Sequence, residues 1–148
     1  MQRKVSELLK EKGAEVYTIG ENGRLKDVVK IFNAKHIGAL MVINEQGEIQ
    51  GIITERDILK KLARTEGEVK EIGVRLIMTP KDQLKVGTPD DTLEHLMEMM
   101  TIHRFRHVPI VESESTLKLC GMISIRDIVK TILTDLNLQN KYLENLVY

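Results

Sequence analysis

The decapeptide Gly51-Ile52-Ile53-Thr54-Glu55-Arg56-Asp57-Ile58-Leu59-Lys60 returns as Gly121-Met122-Ile123-Ser124-Ile125-Arg126-Asp127-Ile128-Val129-Lys130. Six of these ten positions are identical and three more are conservative, so only Glu55 against Ile125 changes character. The echo extends upstream. Leu25, Val28, Val29 and Phe32 match Leu93, Leu96, Met97 and Met100, and Ile37 to Ile43 match Phe105 to Val111. Even Val5-x-x-Leu8-Leu9 has a counterpart in Val74-x-x-Ile77-Met78. Two copies are too few for a solenoid, which needs at least three repeats to bury a continuous core. Two copies that each present an apolar face can close on each other about a pseudo-two-fold axis.

Within each copy the hydrophobic period changes in a fixed order. A short extended piece comes first, at residues 16–19 and 84–86. An amphipathic helix follows, carrying Leu25, Val28, Val29 and Phe32 on one face. In the second copy Pro89-Asp90-Asp91-Thr92 opens it with residues that suit a positive helix N-terminus. A near-continuous apolar strand is next (Ala39 to Ile43; Val108 to Val111). The turn Asn44-Glu45-Gln46-Gly47 then leads into a second strand ending at Ile53, the pattern of a hairpin. A last helix carries Ile58, Leu59 and Leu62, and in the second copy Ile128, Val129, Ile132, Leu133 and Leu136. The expectation is an α/β (α+β) protein of two β-α-β-β-α repeats. The first spans 1–66 and the second 67–136, joined by the polar stretch Arg64 to Glu71, with a tail at 137–148.

Composition narrows the function classes. Formal net charge is zero, from 22 basic and 22 acidic side chains, which argues against a dedicated nucleic-acid binder. The longest apolar run, Ala39 to Ile43, is far too short to cross a bilayer. Cys120 is the only cysteine, so no intramolecular disulfide can form. With a basic but not apolar N-terminus, this fits a cytoplasmic protein. No phosphate-binding P-loop, nucleophile elbow or H-E-x-x-H motif is present, and no nucleophile–base pairing suggests an enzyme.

The repeated Thr54-Glu55-Arg56-Asp57 and Ser124-Ile125-Arg126-Asp127 carry the chemistry. Each follows an apolar strand and opens a helix. A hydroxyl with a carboxylate three positions later is a capping box, which needs no ligand. Capping has no use for the arginine, however, and both copies keep it. Backbone N–H groups at a helix N-terminus bind phosphate, arginine matches phosphate oxygens with a planar fork, and aspartate can accept both hydroxyls of a ribose.

These segments in this order resemble a tandem pair of cystathionine β-synthase (CBS) domains, most closely the stand-alone prokaryotic kind, over residues 5 to 136. The resemblance implies two clefts between the copies, each taking an adenosyl ligand such as AMP, ADP, ATP, NAD or S-adenosylmethionine. One cleft should use Asp127 for ribose, Ser124 and Arg126 for phosphate, and Tyr17, Thr18, Ile19, Ile37, Gly38 and Ala39 for the base. The mirror cleft should use Asp57, Thr54 and Arg56, with the base near Val86 and Phe105. Arg106 and His107 stand where such proteins hold phosphate. Because Gly38-Ala39 corresponds to Arg106-His107, the two clefts should not be equivalent, and one can be empty. The implied role is regulatory: an adenine nucleotide as ligand, no catalytic cofactor, and occupancy signalled to an unidentified protein partner. A scaffold of the same fold that binds no nucleotide is the alternative.

His103 and His107 have the i,i+4 spacing of a zinc pair, but no third ligand is nearby, so no metal site is expected. On the helix spanning residues 92–102, Leu93, Met97 and Met100 fill the core stripe. Leu96 and Met99 then lie partly off it, and Ile31 similarly lies off the core face in the first copy. That spare apolar surface points to a homodimer, and the resemblance implies a flat disc of two pairs.

Overall fold

A computed structural model describes residues 3–147. In chain order the elements are α1 (Val5–Lys12), β1 (Thr18–Gly20), α2 (Leu25–Lys35), β2 (Ala39–Ile43), β3 (Ile49–Thr54) and α3 (Glu55–Arg64). After the linker come β4 (Thr79–Pro80), α4 (Leu93–His103), β5 (His107–Val111), β6 (Leu119–Ser124) and α5 (Ile125–Val147). β1 pairs parallel with β2, and β2 and β3 form the expected hairpin, with Gly47 at φ 78° closing the turn. The second copy repeats the hairpin as β5 and β6. Its leading strand is reduced to one parallel bridge, Gly87 to Ile110, the counterpart of Ile19 to Val42 in the first copy. The stretch expected at 137–148 continues α5 without a break as far as Val147, while residues 1, 2 and 148 lie outside the described residues.

The two halves are tied together by exchanged arms. Val5, Leu8 and Leu9 of α1 are buried in the core of the second repeat, with Leu93, Leu96, Val108, Ile110, Ile123 and Ile128. Reciprocally, Val74 and Ile77, in the opening arm of the second repeat, are buried in the core of the first, with Val28, Leu40, Val42 and Ile53. The backbone repeats the exchange. The Val5 N–H donates to the Asp91 carbonyl and the Val74 N–H to the Gly23 carbonyl, at 2.8 and 2.9 Å. The arms differ in form because Pro80 cannot continue a helix and biases Thr79 toward extended backbone. The second arm therefore makes one 3-10 turn at Val74–Leu76 and then adds β4 to the edge of β3.

The exchange also explains the repeated glycine. A Cβ at Gly51 would overlap the Thr79 carbonyl oxygen, and one at Gly121 would lie 2.7 Å from Leu9 Cδ2. Each arm crosses its strand where only hydrogen leaves room. A third cluster joins the repeats: Ala39, Met41, Ile49 and Ile52 pack with Val111, backed by Val86, Leu119 and Met122. β2 thus alternates between two interiors, with Leu40 and Val42 toward the helices and Ala39 and Met41 toward the other repeat. Burial on both faces is why the sequence reads as a continuous apolar run there.

α4 differs from its expected role. Leu96 is fully buried, and Met97 and Met99 are packed against the same core. The apolar strip that looked spare is covered by α1, which gives α4 two neighbours to face. Ile31 likewise packs on the first core. Exposed apolar side chains remain at Ile102 near the end of α4, 72% exposed, and on other helices. Val129, Leu133 and Leu136 on α5 are 46%, 54% and 47% exposed, and Leu62 on α3 is 45% exposed.

The exchange has a measurable signature. Leu8→Ala should cost about 2–5 kcal/mol of stability and should raise amide exchange in β5 and β6 before β2 and β3, although Leu8 belongs in sequence to the first repeat. Faster exchange confined to β2 and β3 would contradict the exchanged packing.

Candidate functional site

Both Arg-Asp motifs fold as capping boxes. At the start of α3 the Asp57 N–H donates to Thr54 Oγ1 at 3.2 Å, and the Thr54 N–H donates to Asp57 Oδ2 at 2.9 Å. At the start of α5 the Asp127 N–H donates to Ser124 Oγ at 3.1 Å, and the Ser124 N–H donates to Asp127 Oδ2 at 2.9 Å. Each arm then reaches the aspartate of the repeat it invades. The Thr79 hydroxyl donates to Asp57 Oδ1 at 3.2 Å. Lys12, at the end of α1, donates to Asp127 Oδ2 at 2.8 Å and to the Met122 carbonyl at 2.6 Å. Exchange and capping therefore meet at the same two side chains.

A cleft of about 970 Å³ opens beside Asp127. It brings together Tyr17, Ile37, Gly38 and Ala39 from the first repeat with Arg106, His107, Ser124, Arg126 and Asp127 from the second. Thr18 and Ile19 do not line it. The pleat of β1 turns Ile19 into the first core and leaves Thr18 exposed outside the lining. A second cleft of about 320 Å³ lies beside Asp57 and holds Thr54, Arg56, Asp57 and Phe105. Val86 is not in its wall, because it packs in the cluster that joins the repeats. His107 lines both clefts. Among the described residues no group of three or more histidine, cysteine or acidic side chains could hold a metal ion.

A family profile described as CBS domain matches residues 5–64 and again 69–134. The chain belongs to the CBS domain family. The "CBS domain-containing protein CBSX3, mitochondrial" of Arabidopsis thaliana is 36% identical over 72% of this chain, and the chain spans about half (51%) of that relative's length. A solved CBS-domain containing protein from Agrobacterium tumefaciens is 36% identical, with a TM-score of 0.79 over 88% of this chain and 93% of that one. More distant structures of the same fold include the CBS pair of protein MJ0100 in complex with 5-methylthioadenosine and S-adenosyl-L-methionine, 23% identical with a TM-score of 0.72. Another is CBSX2 in complex with AMP, 20% identical with a TM-score of 0.67.

Within this CBS pair, the charged residues Lys12, Glu15 and Glu55 of the larger cleft are among those that the repeated motif did not mark as site residues. Lys12 lies in an arm that sequence assigns to the other repeat. Glu55 stands where the second copy has Ile125. Gly38 makes room for it: a Cβ at 38 would lie 3.1 Å from Glu55 Cδ and would overlap its carboxylate oxygen. The larger cleft is consequently balanced in charge, with Lys12, Arg106 and Arg126 against Glu15, Glu55 and Asp127.

Burial would raise the Asp127 pKa. The hydrogen bond and charge of Lys12 and the donors of Ser124 outweigh it and hold the carboxyl below its ordinary value. His107 moves the other way for its charge. Burial is the largest cause and, helped by Lys12 and Arg106, it lowers the pKa below the ordinary 6.5 against the pull of Glu55 and Asp127. His107 therefore favours the neutral form at pH 7, so an electrostatic hold on phosphate by this side chain needs more acid conditions than an ordinary histidine.

Linkage gives the sign of the consequence. Well above pH 6.5 His107 is neutral in both the folded and the unfolded chain. Below it the unfolded chain binds the proton first, so stability falls with pH until the lowered folded value is passed. Urea unfolding at about pH 7.5 and 5.5 should show the wild type less stable in acid, and His107→Gln should shrink that difference. An unchanged pH difference in the variant would show that other groups carry it.

Proposed function

We propose that this CBS pair is a regulatory module that takes an adenosine-bearing ligand in the larger cleft and signals its occupancy to a partner protein. The observation that carries the reading is Asp127, an ionised carboxylate fixed at the N-terminus of α5 and lining a cleft with small residues and an aromatic on its far side. Asp127 accepts the two ribose hydroxyls, in place of or beside Lys12. Arg126, Arg106 and the first turn of α5 receive the phosphate. Tyr17, Ile37, Gly38 and Ala39 supply the apolar slot for the base. Distant relatives of the same fold in complex with AMP and with S-adenosyl-L-methionine support this class of ligand. Among AMP, ADP, ATP, NAD and S-adenosylmethionine, the balanced charge of the cleft favours the less anionic members. Capping alone accounts for the aspartates, which is what a ligand-free scaffold would need, but it does not account for a cleft of 970 Å³.

Calorimetric titration of AMP and adenosine into wild type and Asp127→Ala separates the two readings. Losing hydrogen bonds from the ribose to a charged acceptor should weaken both ligands by about 1.5–3 kcal/mol, roughly tenfold to a hundredfold. Losing the cap should cost only about 1 kcal/mol of stability. No binding by wild type would leave the scaffold reading, and wild-type affinity in the variant would overturn the ribose role of Asp127.

The module further acts as a homodimer, with α5 as the face that meets the second copy. The exposed Val129, Leu133 and Leu136 follow a 4-3 spacing along one line of this helix, the spacing of a helix seam. Light scattering at about 50 µM should give the dimer mass for wild type and the monomer mass for Leu133→Glu. A monomeric wild type would end this assignment.

A further inference from the structure

The two clefts are related by the repeat but have diverged in opposite physical directions. Positions 37, 38 and 39, which open the larger cleft with isoleucine, glycine and alanine, correspond to Phe105, Arg106 and His107. In the smaller cleft Phe105 and His107 fill the wall where a base would lie, and the volume falls from about 970 to about 320 Å³, the lower end for ligand clefts. What remains is charge. Arg56, Lys60, Lys85 and Arg104 line this space with Asp57 as its only carboxylate, and that carboxylate is already engaged by its own capping box and by Thr79.

In the larger cleft Lys12 is held in an ion pair with Asp127, whereas among the described residues none of the four cations of the smaller cleft has a carboxylate partner in an ion pair. In a chain of zero net charge, a concave wall with a surplus of three positive charges focuses an anion-attracting field. The geometry adds fixed donors. The ten-residue helix α3 opens behind its cap, Thr54, in this wall. Arg104 caps α4 in a left-handed conformation, φ 57°, and its carbonyl receives the Arg56 guanidinium, which anchors that arginine at the cleft.

We infer that the smaller cleft is a separate site for a compact polyanion, a linear di- or triphosphate group, and has no pocket for a base. Its four cations neutralise a chain of phosphates that the balanced larger cleft would not retain. The assignment stands whether or not the larger cleft takes a nucleoside.

Calorimetric titration of the intact chain with sodium tripolyphosphate at low salt tests it. Wild type should bind one equivalent. Lys60→Glu combined with Lys85→Glu, both exposed side chains, should weaken binding by at least about tenfold. Arg126→Ala, in the larger cleft, should leave the affinity within about twofold, and AMP should not displace the bound tripolyphosphate. No binding by wild type at about 1 mM tripolyphosphate would overturn the assignment. So would displacement by AMP, or loss of binding in Arg126→Ala with retention in the double variant, either of which would place the anion in the larger cleft. Circular dichroism verifies the fold of each variant. Should the double reversal not fold, Lys85→Gln alone takes its place, and unchanged affinity in it would overturn the assignment equally.

Discussion

The exchange of arms between the repeats is the constraint on which the rest of the molecule depends. Neither half closes its own core: the first lacks Val74 and Ile77 without the second arm, and the second lacks Val5, Leu8 and Leu9 without α1. The arms cross β3 and β6 at Gly51 and Gly121, where a methyl group has no room. That crossing sets the two hairpins face to face and buries Met41, Ile52 and Val111 between them. The clefts on either side follow from this docking. Their walls come from both repeats because the repeats are interlocked.

At each cleft one aspartate serves several masters. Asp57 and Asp127 cap their helices, and each also meets the arm of the opposite half, through Thr79 in one case and Lys12 in the other. Asp127 ties α1 to the start of α5 through Lys12, so under the proposed function a ligand that reached it would touch two helices at once. Hydrogen bonds to a charged acceptor of this kind are worth more than ordinary ones, which makes Lys12 a natural relay between the cleft and the N-terminal helix.

Much of this was legible in the sequence, and the limits are physical. The repeat of Gly-x-Ile-x-x-Arg-Asp-Ile gave the strand-to-helix junctions and the capping boxes, because those depend on local chemistry. The division of β2 between two interiors was visible as an uninterrupted apolar run. The placing of Leu96 partly off the core failed because α1, which packs in the same core, is far away in sequence. Val5-x-x-Leu8-Leu9 and its echo at Val74 were the available signal for that exchange, yet nothing in their spacing says which repeat they enter. The same distance hid Lys12 from the site. Ile19 and Thr18 were misplaced by strand phase, since a three-residue strand is too short for its alternation to be read. The one discordant position of the motif, Glu55 against Ile125, proved informative, because it marks the larger cleft as different from its mirror.

The interlocked arms also bear on descent. A protein of a single repeat could reach the same packing only as two identical chains, each lending its arm to the other, and symmetry would then force both clefts to be the same. Joining the copies in one gene releases that restriction. Substitutions such as glycine at 38 and arginine at 106 can then persist side by side, each shaping one cleft without altering the other. Inequality of the two clefts is thus a property that duplication followed by fusion makes available and that a symmetric assembly of single repeats never could acquire.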